Sequence, residues 1–382
     1  MSDAAVKRVW SLPQALAVEW ADGTRSEFAS IWLRDNRRED RDAHSGQRLI
    51  DVADLPEEPR ISSVAAQDGA VTVEWEGEPK PASFDLAWLA AHDPAAANGR
   101  RHFAAASWLE GAAMDASRDF AWAGLSEVQN DGPLRAEWLR RLLRDGIAFM
   151  SGVPPSDAGI LEAVSRVGRV SETNYGLVYD VKSVPEPENL AYSDLGLGLH
   201  TDNPYREPVP GFQALHALIA SPDGGESLFA DGFALAEHLR STAPEAFAQL
   251  TRTPVPFLYR SKDAELYAER PLIQLSCAGE VSAVHYNSRS IAPLRLAPRD
   301  AAAFYLAYRR FAALLRDSRF QLKFSLRDAQ LVLFDNQRIL HGRTPFSSAR
   351  HPRHLRGCYL TRDSVYCEAA LSRREFHQEI RQ

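Results

Sequence analysis

With 382 residues, 45% of them hydrophobic and 25% charged, the chain can bury a self-sufficient core and suits one large domain with a smaller companion. A formal net charge of −7 with no lysine- and arginine-dense patch argues against nucleic acid, which needs a basic footprint. No stretch approaches the roughly 20 apolar residues of a membrane span, and "MSDAAVKRVW" lacks a signal-peptide run, so a cytoplasmic location is expected.

In chain order, "ALAVEWADGTRSEF" alternates around an Asp22-Gly23 hairpin turn, and "AVTVEWEGEPKPASFDLAWL" alternates again before a short helix. Residues 1–92 therefore read as a small β-rich domain, and the alanine-rich, mixed-polarity stretch 93–125 reads as a linker. All eight tryptophans lie at or before Trp138, which supports two modules of different composition. Residues 126–382 then form the main domain. "PLRAEWLRRLLRD" predicts an amphipathic helix with an arginine-coated outer face, "GIAFMSGV" a strand, and "SDAGILEAVSRVG" a helix capped by Ser156.

Short β-prone runs follow: "GFQALHALIA", "GGESLFADG", "TPVPFLYRS", "IQLSCAGEVSAVHYNS" and "AQLVLFDNQRILHG". Helices interrupt them at "FALAEHLRSTAPEAFAQL" and "PRDAAAFYLAYRRFAALLRDS". Many short strands with flanking helices predict a mainly β fold built as a double-sheet jelly roll, whose mouth is a common ligand site. Cys277, Cys358 and Cys367 show no CxxC spacing, so neither disulfides nor a zinc ribbon follows, and all three are expected as reduced, packed thiols.

The chemistry concentrates in "GLHTDNPYREPVPG", residues 198–211. His200 and Asp202 stand two apart on what reads as a strand, where positions i and i+2 share a face, so an imidazole and a carboxylate are expected to converge. A His-x-Asp pair is expected about once by chance in a chain of this size, so a third ligand is needed. His341, in "LVLFDNQRILHGRTPF", supplies it. Two imidazoles and one carboxylate leave adjacent positions open on an octahedral Fe(II), enough for a bidentate cosubstrate and O2. Downstream, "RHPRHLRGCYL" puts arginines on a β-prone segment, where a distal carboxylate could be gripped.

Together, "NLAYSDLGLGLHTDNPYREPVPGFQALHAL", "GGESLFADGF", "LFDNQRILHGRTPF" and "RHLRGCYL" resemble the Fe(II)/2-oxoglutarate dioxygenases, in the γ-butyrobetaine and trimethyllysine hydroxylase branch of the taurine dioxygenase superfamily. "IWLRDN" and "FDLAWL" resemble that branch's N-terminal domain. The resemblance implies a jelly roll, a homodimer, and His200, Asp202 and His341 as iron ligands. It implies that Arg353 and Ser227 hold the distal carboxylate of 2-oxoglutarate. Tyr175, Tyr179, Tyr192 and Tyr359 match the positions of an aromatic cage for a quaternary ammonium, with tyrosine at 179 where the branch often has tryptophan. Asn189, Tyr205, Asn287 and Arg289 become candidates for the substrate's anionic end.

Two departures refine what the resemblance implies. Ser288 and Arg289 stand where an asparagine-rich run is expected, and an added arginine suits a phosphonate as well as a carboxylate. The loop "RREDRDAHSGQR" has no cysteine, and His44 alone cannot hold a structural zinc, so no zinc is expected. The implied activity is hydroxylation of a small trimethylammonium compound. The substrates in view are 2-(trimethylammonio)ethylphosphonate, in phosphonate catabolism, and γ-butyrobetaine, in carnitine biosynthesis, with trimethyllysine as a further alternative. A zinc hydrolase using the same three ligands and a non-catalytic quaternary-ammonium-binding jelly roll are the readings from other classes.

Overall fold

The computed structural model describes residues 5–93, 105–156, 158–182, 195–220, 224–347 and 353–379. The chain divides into two compact units, Met1–His102 and Phe103–Gln382. In the first, β1 (Val6–Leu12), β2 (Ala15–Trp20) and β3 (Arg25–Ala29) form an antiparallel sheet. Gly23 turns the chain between β2 and β3 at φ 86°, a conformation open to glycine. After α1 (Ser30–Asp35), a second antiparallel sheet is built from β4 (Ile61–Gln67), β5 (Ala70–Trp75) and β6 (Ala82–Asp85). Asp85 then caps α2 (Leu86–Ala91) by accepting from the Trp88 amide at 2.8 Å. The alternation read from the sequence is the core pattern: Leu16, Val18 and Phe28 are buried with Val71, Val73, Trp75 and Phe84.

The cysteine-free loop after α1 is knitted by charge. Arg34 pairs with Asp40 and Glu78, Arg37 with Glu78, and Arg48 with Asp35 at 2.6 Å. His44 is exposed.

In the second unit, α3 (Ala116–Asp119) leads into β7 (Ala121–Gly124), α4 (Leu125–Gln129) and α5 (Pro133–Asp145). The stretch expected as linker up to 125 is thus folded from about Trp108 onward. Trp108 and Phe120 are buried beside Phe149 and Phe334, and β7 pairs in parallel with β8 (Ile147–Ser151). Its alanines hid this: Ala116, Ala121 and Ala123 are small but buried, so the apolar face carries no bulky periodic signal. The helix expected from Ser156 begins later, as α6 (Gly159–Val164), with no side-chain cap.

The chain continues through β9 (Val170–Ser171), β10 (Tyr179–Lys182), β11 (Leu197–His200), β12 (Phe212–Ile219) and β13 (Ser227–Asp231). The next helix is two, α7 (Gly232–Thr242) and α8 (Pro244–Arg252), because Pro244 cannot continue α7 and opens α8. Hairpins β14 (Val255–Arg260) with β15 (Glu265–Arg270), and β16 (Ile273–Leu275) with β17 (Val281–Val284), precede α9 (Pro298–Arg316). The unit closes with β18 (Leu322–Phe324), β19 (Leu331–Asp335), β20 (Ile339–Arg343), β21 (His354–Leu360) and α10 (Arg362–Glu379).

These strands form a larger sheet, in the order β10-β21-β12-β19-β8-β7 with β9 on β21, and a smaller one, β11-β20-β13-β18. Phe229 of the smaller sheet meets Phe334 of the larger edge to face, with ring centroids 5.6 Å apart. The second unit is therefore a jelly roll with flanking helices. Of the cysteines, only Cys358 is packed as expected; Cys277 and Cys367 are exposed thiols, at a hairpin turn and on α10. No helix among the described residues is long and apolar enough to cross a membrane.

A buried ion pair fixes the β19–β20 turn. Arg338, 2% exposed, donates to Asp231 at 2.7 Å and to the carbonyls of Arg144 and Ala106 at 2.8 Å each, while Asp231 caps α7. Arg338→Met should cost about 3–5 kcal/mol, because it strands a buried carboxylate. Urea unfolding would read this as a lowered midpoint at unchanged slope; a loss under about 1 kcal/mol would mean that the pair is dispensable.

Candidate active site

Strands β11 and β20 are neighbours, and their register sets His200 directly opposite His341, with ring centroids 4.3 Å apart. The third group arrives differently from the expectation. β11 ends at His200, so Asp202 is placed by a turn and not by strand alternation. Asn203 follows at φ 54°, and fully buried Asn336 clamps the turn: it accepts from the Asp202 amide at 2.7 Å and donates to the carbonyls of Asp202 (3.0 Å) and Pro210 (3.2 Å). Asp202 Oδ1 lies 3.2 Å from His200 Nε2, and Oδ2 lies 3.7 Å from His341 Nε2. One ligand atom from each of the three residues lies within 4.8 Å of the others.

The electrostatics suit a divalent cation. Burial pushes His341 down to about 3, with His200 adding to the effect, so the imidazole is neutral. Burial acts to raise the Asp202 carboxyl, but His341, His200 and Tyr359 together hold it well below its ordinary value. His200 Nδ1 lies 2.9 Å from the Gly198 carbonyl, which favours the proton on Nδ1 and turns the Nε2 lone pair inward. Asp202 has no arginine or lysine ion pair among the described residues. Two imidazoles and a partly buried carboxylate with no cationic side-chain partner among the described residues form a nitrogen and oxygen donor set suited to a metal.

The same cavity, about 770 Å³ with its open mouth included, holds Arg353 and Ser227. Arg353 is 8% exposed and makes no hydrogen bond or ion pair among the described residues; its guanidinium lies 5.9 Å from the Phe346 ring centroid. Burial, assisted by Arg343, pushes it down to about 10, which still leaves it charged at neutral pH. A buried guanidinium without a carboxylate is fitted to an incoming anion. Gly225, at φ 68°, gives it room: a Cβ there would sit 2.9 Å from Arg353 Cδ. Ser227 opens β13 opposite Arg343.

Of the expected cage, Tyr175, Tyr179 and Tyr359 line this cavity, with ring centroids 6.2 Å apart for Tyr175 and Tyr179 and 5.1 Å for Tyr179 and Tyr359. Burial raises the pKa of all three, so they remain neutral phenols. Tyr179 packs on bare backbone, since a Cβ on Gly357 would meet its ring at 2.4 Å. Tyr192 and Asn189 lie outside the described residues.

The expected anion receivers separate. Arg289 lines the cavity and, by surface area, is exposed at its mouth, with no hydrogen bond or ion pair among the described residues; partial burial of its head lowers its pKa. Tyr205 and Asn287 stand behind the wall. Tyr205 donates to Asn203 Oδ1 at 2.6 Å and stacks on Tyr259, and Asn287 donates to the Thr201 carbonyl at 3.1 Å. Their hydrogen bonds hold the ligand-bearing turn, which adjacency in sequence could not reveal.

Two residues were missed in the sequence. Asn336 has the role just described. Gln213, 2% exposed on β12, donates to the Tyr179 hydroxyl at 2.8 Å and to Asp202 Oδ2 at 2.9 Å, and Tyr359 donates to the same Oδ2 at 2.8 Å. The buried Gln213 Oε1 has no partner among the described residues. A lone glutamine in the apolar run "GFQALHALIA" was the available signal.

Comparison with known proteins follows the same division. Residues 117–359 match the family "Taurine catabolism dioxygenase TauD, TfdA", and residues 9–90 match "Gamma-butyrobetaine hydroxylase-like, N-terminal". The chain is 33% identical over 366 residues to a gamma-butyrobetaine dioxygenase of Pseudomonas sp. (strain AK-1), covering 93% of each chain. It is 27% identical over 367 residues to a trimethyllysine dioxygenase of Meyerozyma guilliermondii, covering 91% of each. A solved taurine dioxygenase from Burkholderia xenovorans aligns with a TM-score of 0.47 at 18% identity, over 63% of this chain and 88% of that one.

Proposed function

The chain belongs to the taurine catabolism dioxygenase TauD, TfdA family of Fe(II)/2-oxoglutarate-dependent oxygenases, and from that membership we propose that it hydroxylates a small zwitterion carrying a trimethylammonium group. The observation that carries the reading is that neutral tyrosine faces and an arginine line the cavity holding the His-Asp-His cluster. His200, Asp202 and His341 would hold the iron, and Arg353 with Ser227 would take the far carboxylate of 2-oxoglutarate. With both bound, O2 oxidises a C–H bond to an alcohol while 2-oxoglutarate is converted to succinate and CO2.

This chain's residues select which carbon is presented. Tyr175 and Tyr179 offer ring faces to the quaternary ammonium, which cannot donate a hydrogen bond and is recognised through its charge. Arg289, at the same cavity, would repel that cation unless the substrate brings an anion, which favours a zwitterion over a simple amine. Holding both ends fixes the carbon between them. The apolar wall of Leu215, Phe229 and Leu355 keeps water from the reacting centre.

Within this class, γ-butyrobetaine, giving carnitine, is supported by the relative at 33% identity. 2-(Trimethylammonio)ethylphosphonate, giving the 1-hydroxy product, is supported by Arg289, whose guanidinium suits a phosphonate. Trimethyllysine is the second reading, carried by the trimethyllysine dioxygenase likeness. Comparing kcat/KM for the three compounds decides among them, and no turnover of any sinks the trimethylammonium assignment. If the phosphonate is preferred, Arg289→Asn should lower its kcat/KM by about 10- to 100-fold, the worth of a charge-assisted hydrogen bond. Equal loss on a trimethylammonium analogue that lacks the anionic group would show instead that Arg289 does not receive the anion.

A further inference from the structure

We propose that Gln213 is a positioning residue that ties the tyrosine cage to the carboxylate of Asp202, so that a cation on Tyr179 and a metal at the His-Asp-His cluster are thermodynamically coupled through one amide. The inference rests on the reading that this cluster holds a metal.

Gln213 sits on β12 opposite Tyr359 of β21, between the cage and the cluster. Its Nε2 carries two hydrogens, and both are spent: one on the Tyr179 hydroxyl at 2.8 Å, the other on Asp202 Oδ2 at 2.9 Å. The amide cannot be reversed, because a carboxylate accepts only and Oε1 would face it with like partial charge. The buried Oε1 has no partner among the described residues, so among them nothing else fixes the side chain's polar end. Movement of Tyr179 therefore passes to the amide, and from the amide to Asp202.

The same contacts decide which oxygen of Asp202 meets the metal. Oδ2 accepts from both Gln213 and Tyr359, the latter at 2.8 Å, whereas Oδ1 points to His200 Nε2 at 3.2 Å. Two donors on Oδ2 leave Oδ1 as the ligating oxygen. A carboxylate held to one oxygen keeps an adjacent coordination position open, which the family's chemistry requires. Tyr179 has little slack on its other side, where it lies against Gly357. A cation seated on its ring would fix the phenol and so organise the amide and carboxylate; by linkage, a metal on Asp202 would organise the cage in return.

Calorimetric titration with Co(II), anaerobically and without 2-oxoglutarate, tests this in the presence and absence of tetramethylammonium. The wild-type chain, Gln213→Leu and Tyr179→Phe are compared. Gln213→Leu should weaken Co(II) by about 10- to 100-fold, as for other residues that orient a metal ligand. The ratio of Co(II) Kd without the cation to that with it should be larger in the wild type than in Gln213→Leu by about fivefold or more. Direct repulsion between the two cations is common to both chains and cancels in that comparison. Tyr179→Phe keeps the ring and removes only the hydroxyl, so it should show the same diminished ratio, and it carries the test if Gln213→Leu does not fold. Equal ratios in the wild type and the folded variants overturn the proposal alone. Failure of the wild type to bind Co(II) at the cluster overturns the metal-site reading beneath it.

Discussion

His200→Ala should abolish hydroxylation and weaken Fe(II) or Co(II) binding by more than the roughly 10- to 100-fold that loss of a mere supporting contact costs. His200 supplies one of three nitrogen and oxygen donors, and its Nε2 is aimed inward by the Gly198 carbonyl. Removing it leaves Asp202 and His341 to hold the ion alone, with Asp202 still engaged by Gln213 and Tyr359. Metal content after anaerobic reconstitution, together with succinate release, is the measurement. Retained iron and retained succinate release in His200→Ala would remove this residue from the site. The fold should be untouched, because the imidazole's polar contacts are local, to the Gly198 carbonyl and to Asp202, each two residues away.

Arg353→Met should raise the KM for 2-oxoglutarate by about two to three orders of magnitude, in line with the roughly 2–5 kcal/mol lost when a buried charge partner is truncated. The direction follows from the isolation of this guanidinium, which has no carboxylate among the described residues and is buried beside a second arginine. Metal affinity should stay near the wild-type value, since Arg353 is not one of the clustered donors. At saturating 2-oxoglutarate much of kcat should return. A KM within about threefold of the wild type would place the distal carboxylate elsewhere, because so small a change is worth under about 1 kcal/mol. Arg353→Lys is the graded control: it keeps the charge and loses the two-pronged geometry.

The sequence made the strongly patterned parts legible. Apolar strands such as β12 and β19, the amphipathic α5 closed by Gly146, and the Asp22-Gly23 turn all follow from side-chain period and turn chemistry. Motif order then pointed to His200, Asp202 and His341, which the fold brings together, although strand alternation does not account for the convergence of His200 and Asp202. Asp202 converges on His200 because Asn336, more than a hundred residues away, holds the turn from the end of β19. No local pattern encodes such a clamp. The buried start of the second unit was masked for a different reason, since alanines at 116, 121 and 123 pack like a core yet read like a linker.

The lining of the cavity was only partly readable. Tyrosine positions at 175, 179 and 359 carried their meaning through resemblance, and the three rings do line one cavity. Tyr205 and Asn287, next to equally suggestive motifs, turn their polar atoms to the ligand-bearing turn instead. Whether a side chain faces a cavity or the wall behind it depends on strand register and on which hydrogen bonds compete for it, and these are tertiary facts. Gln213 is the converse case, a single polar residue in an apolar strand that joins two functional groups.

The most direct test is turnover of the purified wild-type chain with Fe(II), 2-oxoglutarate and isotopically labelled O2, offered γ-butyrobetaine, 2-(trimethylammonio)ethylphosphonate and trimethyllysine in parallel. One of them should gain a single labelled oxygen atom, with succinate formed in equal amount and both signals lost in His200→Ala. Succinate formation without a labelled product from any of the three would contradict the trimethylammonium assignment, and 2-oxoglutarate left unconsumed under all conditions would contradict the enzyme itself.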